Sequence, residues 1–198
     1  MIDDRKYNYT KKGSIKGVEV RGEVILGVLE AMARTVLREI STKNALELLG
    51  KCGISEIKQG CWYPLESFIS ALNQISKEGR ANTLKLIGAS VVNIAKWPNI
   101  NTLSEALYSL DVSYHMNHRR DGKELFDSKN GKIIEGKIGH CMIIPPKKGE
   151  NKVVYINSSF YPCDFDFGMT SELVKKFKPK NCNHFAISRH DIGECKSP

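Results

Sequence analysis

Through the first half of the chain, apolar residues recur at helical spacing. Val24, Val28, Ala31 and Thr35 form one stripe and Ile25, Leu29, Met32 and Val36 the next, which predicts a broadly buried helix over residues 21 to 40. A short helix over 42 to 49 stops at Gly50. In CWYPLESFISALNQISKEG, Pro64 suits a first turn, and Leu65, Phe68, Ile69, Leu72 and Ile75 keep helical spacing until Gly79. Leu84, Ile87, Val91 and Ile94 mark another helix, closed by Trp97-Pro98, and TLSEAL reads as a capping box in which Thr102 is answered by Glu105.

Near position 111 the period becomes two. The stretch DVSYHMNHRRDG is expected to enter a sheet, with Val112, Tyr114, Met116 and His118 on one face and Ser113, His115, Asn117 and Arg119 on the other. Residues 133 to 144 alternate Ile134, Ile138, His140, Met142 and Ile144 against Glu135, Lys137 and Cys141, a half-buried strand. KVVYIN is a second strand, FDFGMTSELVKKFKP a helix ended before Pro179, and NHFAISRH a final strand. Helices followed by a meander predict an α+β fold, a helical N-terminal layer packed on an antiparallel sheet. The expected division is a basic N-terminal segment over 1 to 20 and a single α+β domain over 21 to 198, helical over 21 to 110 with sheet and helix over 111 to 195.

A length of 198 residues suits one domain with a full core. No apolar run reaches a membrane span and no apolar signal core opens the chain, so the expected location is the cytoplasm, with six dispersed cysteines as free thiols or metal ligands. A net charge of +8 invites an anionic partner, but the lysines are spread out and no nucleic-acid-binding motif accompanies them. Walker, GxGxxG, GxSxG and HExxH patterns are absent.

Candidate chemistry falls in four places. Tyr114, His115, His118, Arg119 and His140 are the candidate ligand contacts. If the two strands form a hairpin centred near residue 126, a six-residue offset puts His118 about 20 Å from His140, which disfavours a shared metal and leaves Tyr114 and His140 as a cross-strand pair. Arg119 is free to bridge Asp111 or Glu135. Cys163 precedes a helix that Asp166 or Thr170 can cap, a position that lowers a thiol's pKa, so it reads as structural packing, a metal ligand or a nucleophile. Asp164 and Asp166 suggest a carboxylate dyad, divalent-cation ligands or a helix-capping turn, the turn being simpler.

WYPLESFISALNQI, TLSEALYSLDVSYHMNHR, the Gly139-His140 pair, FYPCDFDFG and RHDIGEC together resemble an uncharacterised bacterial family related to the 4-vinyl reductase (hydrocarbon-binding) domain, and more distantly to haem-nitric-oxide-binding and TRAPP-like folds, over roughly residues 60 to 195. The resemblance implies a helix-rich layer on an antiparallel sheet, dimerisation and small-molecule sensing. It also implies a structural zinc near the C-terminal part, at Cys163, His190 or Asp191 and Cys195, with Cys182 or His184 in place of a further cysteine that this sequence lacks. The metal set is therefore Cys163, Cys182, His190 and Cys195, with zinc as the expected metal ahead of haem.

The resulting expectation is a non-enzymatic sensory domain with an apolar pocket between helices and sheet, binding an apolar or aromatic small molecule and signalling through a homodimer or partner protein. An enzyme using Cys163 or His140 with Tyr114 is the alternative, and a basic nucleic-acid-associated or defence-related protein the third reading.

Overall fold

The computed structural model describes residues 12–34, 42–78, 82–97, 99–144 and 149–189. Within them, six helices combine with short antiparallel strands, an α+β arrangement. Strand β1 (Val18–Arg21) runs straight into α1 (Gly22–Arg34), which buries Ile25, Val28, Leu29, Ala31 and Met32 as its two stripes predict. Helix α2 (Thr42–Lys51) and strand β2 (Trp62–Pro64) lead to α3 (Leu65–Glu78), whose Leu65, Phe68, Ala71, Leu72 and Ile75 point into the core. Helix α4 (Thr83–Ile94) follows.

Helix α5 (Leu103–Met116) starts with the expected box: the Thr102 hydroxyl accepts from the Glu105 N–H at 3.1 Å, and the Glu105 carboxylate accepts from the Thr102 N–H at 3.1 Å. The helix then continues to Met116, correcting the expectation of a strand from 111. Leu103, Ala106, Leu107, Leu110 and Tyr114 hold helical spacing across that boundary, and this continuous buried stripe outweighs the weak strand preference of Val112 and Tyr114. Only His118–Arg120 form a strand, β3.

Strands β3 and β4 (Lys123–Glu124) complete a four-stranded sheet in the order β2-β1-β3-β4. Two of its strands come from before residue 111, so helices and sheet interleave along the chain instead of dividing there. On one face Arg119 grips Glu19 with bonds of 2.6 and 2.9 Å, Arg21 meets Glu124 at 3.1 Å, and both guanidinium groups lie over the Trp62 ring. Two hairpins follow, β5 (Phe126–Asp127) with β6 (Lys132–Ile133) and β7 (Cys141–Ile144) with β8 (Val154–Asn157). The expected strand over 133 to 144 is thus broken between Ile134 and His140, where Lys137 and Gly139 take positive φ values of 53° and 86°. Ile138 is thereby buried while Ile134 is exposed, which a strict alternation cannot produce.

Helix α6 (Cys163–Phe177) closes the ordered elements; residues 183 to 189 of the expected final strand have no regular structure, and His190 lies outside the described residues. Helices α4 and α6 cross at backbone contact: a Cβ on Gly88 would sit 2.2 Å from the Phe165 carbonyl oxygen, and one on Gly168 would sit 2.1 Å from that of Lys85. The main core lies among α1, α2, α3, α4 and the four-stranded sheet, and a second cluster around Leu107, Leu110, Cys141 and Leu173 joins α5, β7 and α6. Among the described residues no helix is long and apolar enough to cross a membrane.

Candidate functional site

The end of α5 carries the i, i+4 pair Asp111 with His115, and its Tyr114 carbonyl accepts from His118, the first residue of β3. Each pair organises a separate polar region.

Asp111 sits buried at the centre of the first. One of its carboxylate oxygens accepts from the Cys141 N–H at 2.9 Å and the other lies 3.2 Å from His140 Nδ1. His140 Nε2 lies 2.9 Å from Glu135. His140 reaches this position because Gly139, at φ 86°, turns the chain where a Cβ would collide with the Ser158 backbone, and the His140 N–H then donates to the Ser158 hydroxyl. The hydrogen bond to Asp111 pushes the His140 pKa up to about 9; burial opposes this, and Glu135 reinforces it. At neutral pH His140 is therefore an imidazolium donating to two carboxylates.

His115 stacks on it, with ring centroids 4.7 Å apart and planes 29° from parallel. His115 donates from Nδ1 to the Asp111 carbonyl at 2.9 Å, and burial lowers its pKa, so it is neutral. Its Nε2 is buried without a hydrogen-bond partner. Asp111, His115 and His140 each present one ligand atom within 4.8 Å of the others, a candidate metal-binding triad.

On the other side lies a cavity of about 310 Å³, open to solvent at one side and walled by α1, α4, α5, α6 and the β7–β8 hairpin. Val24, Val28, Ile94, Leu110, Phe165 and Met169 make much of its wall, with Gly27 on α1 adding no side chain where a Cβ would meet nothing within 4 Å. His118 is buried here. Its Nδ1 donates to the Tyr114 carbonyl at 2.5 Å, and Tyr161 donates to its Nε2 at 3.2 Å. Burial pushes the His118 pKa down to about 4, so it stays neutral. The Tyr114 hydroxyl donates to the Ile138 carbonyl and accepts from the Phe160 N–H. Asp166 stands at the polar end, accepting from the Ser159 hydroxyl at 2.6 Å. It lies deep among the helices yet keeps accessible surface, because that surface faces the cavity. Burial pushes its pKa up to about 6, against hydrogen bonds from Ser159 and Asn157 and the charge of Lys12.

Of the ligand contacts expected from sequence, Tyr114 and His118 line this cavity, while His115 and His140 belong to the triad. Tyr114 and His140 do not form the expected pair; each is engaged with other groups. Arg119 bridges Glu19 on the sheet face, neither Asp111 nor Glu135. His118 and His140 share no hydrogen-bonding partner. Cys163 is the first residue of α6 and is disulfide-bonded, in contrast to the expected free thiol, which removes the thiolate a nucleophile needs. Cys182 donates to the His184 carbonyl at 3.3 Å. His190 and Cys195 lie outside the described residues.

Sequence reasoning treats Asp111 and Glu135 as partners for Arg119, prefers a capping role for Asp166 over a carboxylate dyad or cation site, and passes over Tyr155 and Tyr161. The Asp111-to-His115 spacing was a usable signal, since it brings the two groups together on a helix, whereas on a strand they share a face but stand about 13 Å apart. Asp166 carried no such sign: Pro162 holds the cap position, and burial of the carboxylate depends on the β8-to-α6 connection folding over it. No family model, curated protein or solved structure matches the chain.

Proposed function

We propose that the chain is a non-enzymatic small-molecule-binding domain whose ligand occupies the cavity between α1, α4, α5, α6 and the β7–β8 hairpin. The carrying observation is that cavity: about 310 Å³, walled by aliphatic and aromatic side chains, with a few polar groups gathered at one end. That is the general form of a small-ligand site, at the lower end of the usual size range. The resemblance to the 4-vinyl reductase family and TRAPP-like folds points the same way, and supports a ligand signal passed on through a homodimer or a partner protein. Thermal shift and calorimetry with a panel of small aromatic ligands test the reading. Saturable stabilisation, abolished by Gly27→Leu filling the cavity, is the expected result; no response across the panel overturns it.

A second reading concerns the triad. Two imidazoles and a carboxylate are a donor set that zinc accepts, and the unpartnered His115 Nε2 is a buried acceptor left over by the present hydrogen bonds. A metal at His140 must displace its proton, so affinity would rise with pH. Elemental analysis after zinc loading is the test. One zinc per chain, lost in His115→Ala and kept in Cys182→Ala, supports this site; no uptake between pH 7 and 9 removes it.

A further inference from the structure

We infer that the cavity selects a cationic ligand, a primary or secondary ammonium attached to an aromatic or aliphatic body, held by Asp166. This rests on the cavity being a binding site, and names the class of molecule it takes.

Three observations converge. Charged side chains in the cavity wall are all of one sign: Asp166 at the inner end, with Glu23 and Glu30 on α1 exposed toward solvent. Among the described residues no lysine or arginine lines it, although the chain carries a net charge of +8. The imidazole in the wall, His118, is neutral and already donates its one N–H to the Tyr114 carbonyl. An anionic ligand would meet no cation and three carboxylates there. Glu30 is offset by Arg34 at 2.6 Å; Lys12, which bonds the Ser159 carbonyl and acts on Asp166 through its charge, does not line the cavity, so within the wall Asp166 is the charged group that faces a ligand deep inside.

The surroundings of Asp166 suit an ammonium. Tyr114, Tyr161 and Phe165 present ring surface to the cavity, and Tyr161 and Phe165 stack with centroids 5.5 Å apart; aromatic faces attract desolvated cations. The Tyr155 hydroxyl, also in the wall, is hydrogen-bonded with the Cys141 thiol and keeps an oxygen lone pair toward a ligand N–H. Size sets a limit on the body of the ligand. An apolar cavity of about 150 Å³ admits benzene, so a space of about 310 Å³ holds one ring and a short amine-bearing chain.

Matched pairs of ligands test the inference on the full chain: phenethylamine against ethylbenzene, and tyramine against 4-ethylphenol, by calorimetry at pH 7.5. The amines are expected to bind, and the neutral partners to bind about ten- to a hundredfold more weakly, as expected for loss of a hydrogen-bonded charge. Asp166→Asn should bring the amines down to their neutral partners while leaving those unchanged, with circular dichroism confirming the fold. Equal binding of amine and neutral partner by the unaltered protein overturns the inference and leaves the cavity reading intact. Preferential binding of 4-ethylbenzoate also overturns it. Failure of every compound overturns both.

Discussion

His118 and His140 are the same residue type on either side of one helix end, yet their surroundings drive them to opposite charge states. His140 lies between Asp111 and Glu135 and is pushed up to about 9, whereas His118 is walled in by Tyr114 and Tyr161 with no carboxylate bonded to it and is pushed down to about 4. The contrast separates two kinds of polar region. One is held together by charge, with a protonated imidazole between two carboxylates. The other is neutral at Tyr114 and His118, and its deep carboxylate, Asp166, faces the cavity from α6.

Removing the carboxylate that defines the first region should have the largest effect. Asp111→Ala strands the Cys141 N–H and takes away one of His140's two carboxylates, so a loss of about 3 kcal/mol is expected, near the low end for a broken buried pair because His140 is partly exposed. Denaturant unfolding measures the loss, and NMR titration of His140 in the same variant should show its pKa falling back toward 6.5. A His140 that still titrates near 9 would break the comparison. Next comes Gly168→Ala, where a methyl group meets the Lys85 carbonyl; about 2 kcal/mol of destabilisation is expected from overpacking, read as a lower Tm, with the cavity side of α6 displaced.

The second region gives a pH signature. When folded, His118 refuses the proton that an unfolded chain accepts below 6.5, so its contribution is intact above 6.5 and lost as pH falls toward 4. Asp166 holds its proton up to about 6, so its contribution is full below the ordinary 3.8 and lost as pH rises through 6. Between about pH 4 and 6 the two slopes oppose each other. Asp166→Asn should unmask the histidine, giving stability that falls by about 1.4 kcal/mol per pH unit of acidification in that window. A flat difference between variant and parent would show that Asp166 titrates normally. The smallest effect is expected for Tyr161→Phe, which removes one hydrogen bond to His118 Nε2 at a cost of about 1 kcal/mol and should leave His140's titration untouched.

How far this could be read from the residues depends on the range of the interactions concerned. The helices of the first half were legible, because α1 and α3 bury the stripes their spacing announces, and the capping box at Thr102 and Glu105 marks the start of α5. The end of α5 was not, since aromatic and β-branched residues between 111 and 116 favour a strand locally and only continuity with Leu107 and Leu110 decides for a helix. That single difference rearranged the site: in a strand His115 and Tyr114 face apart, while in the helix each heads its own region. Pairing of β1 with both β2 and β3 joins residues as distant as Val18 and Arg120 and left no local mark. The clustering of Asp111, Glu135 and His140 likewise depends on the turn at Gly139, whose role is visible only once the Ser158 backbone is in place.

Gly27 carries a consequence for how this protein can change over time. Alanine at an exposed or roomy helix position is favoured over glycine by up to about 1 kcal/mol, and nothing stands within 4 Å to resist the added methyl. The substitution that would make α1 sturdier would also narrow the cavity, so at this position selection for folding and selection for ligand capacity pull in opposite directions.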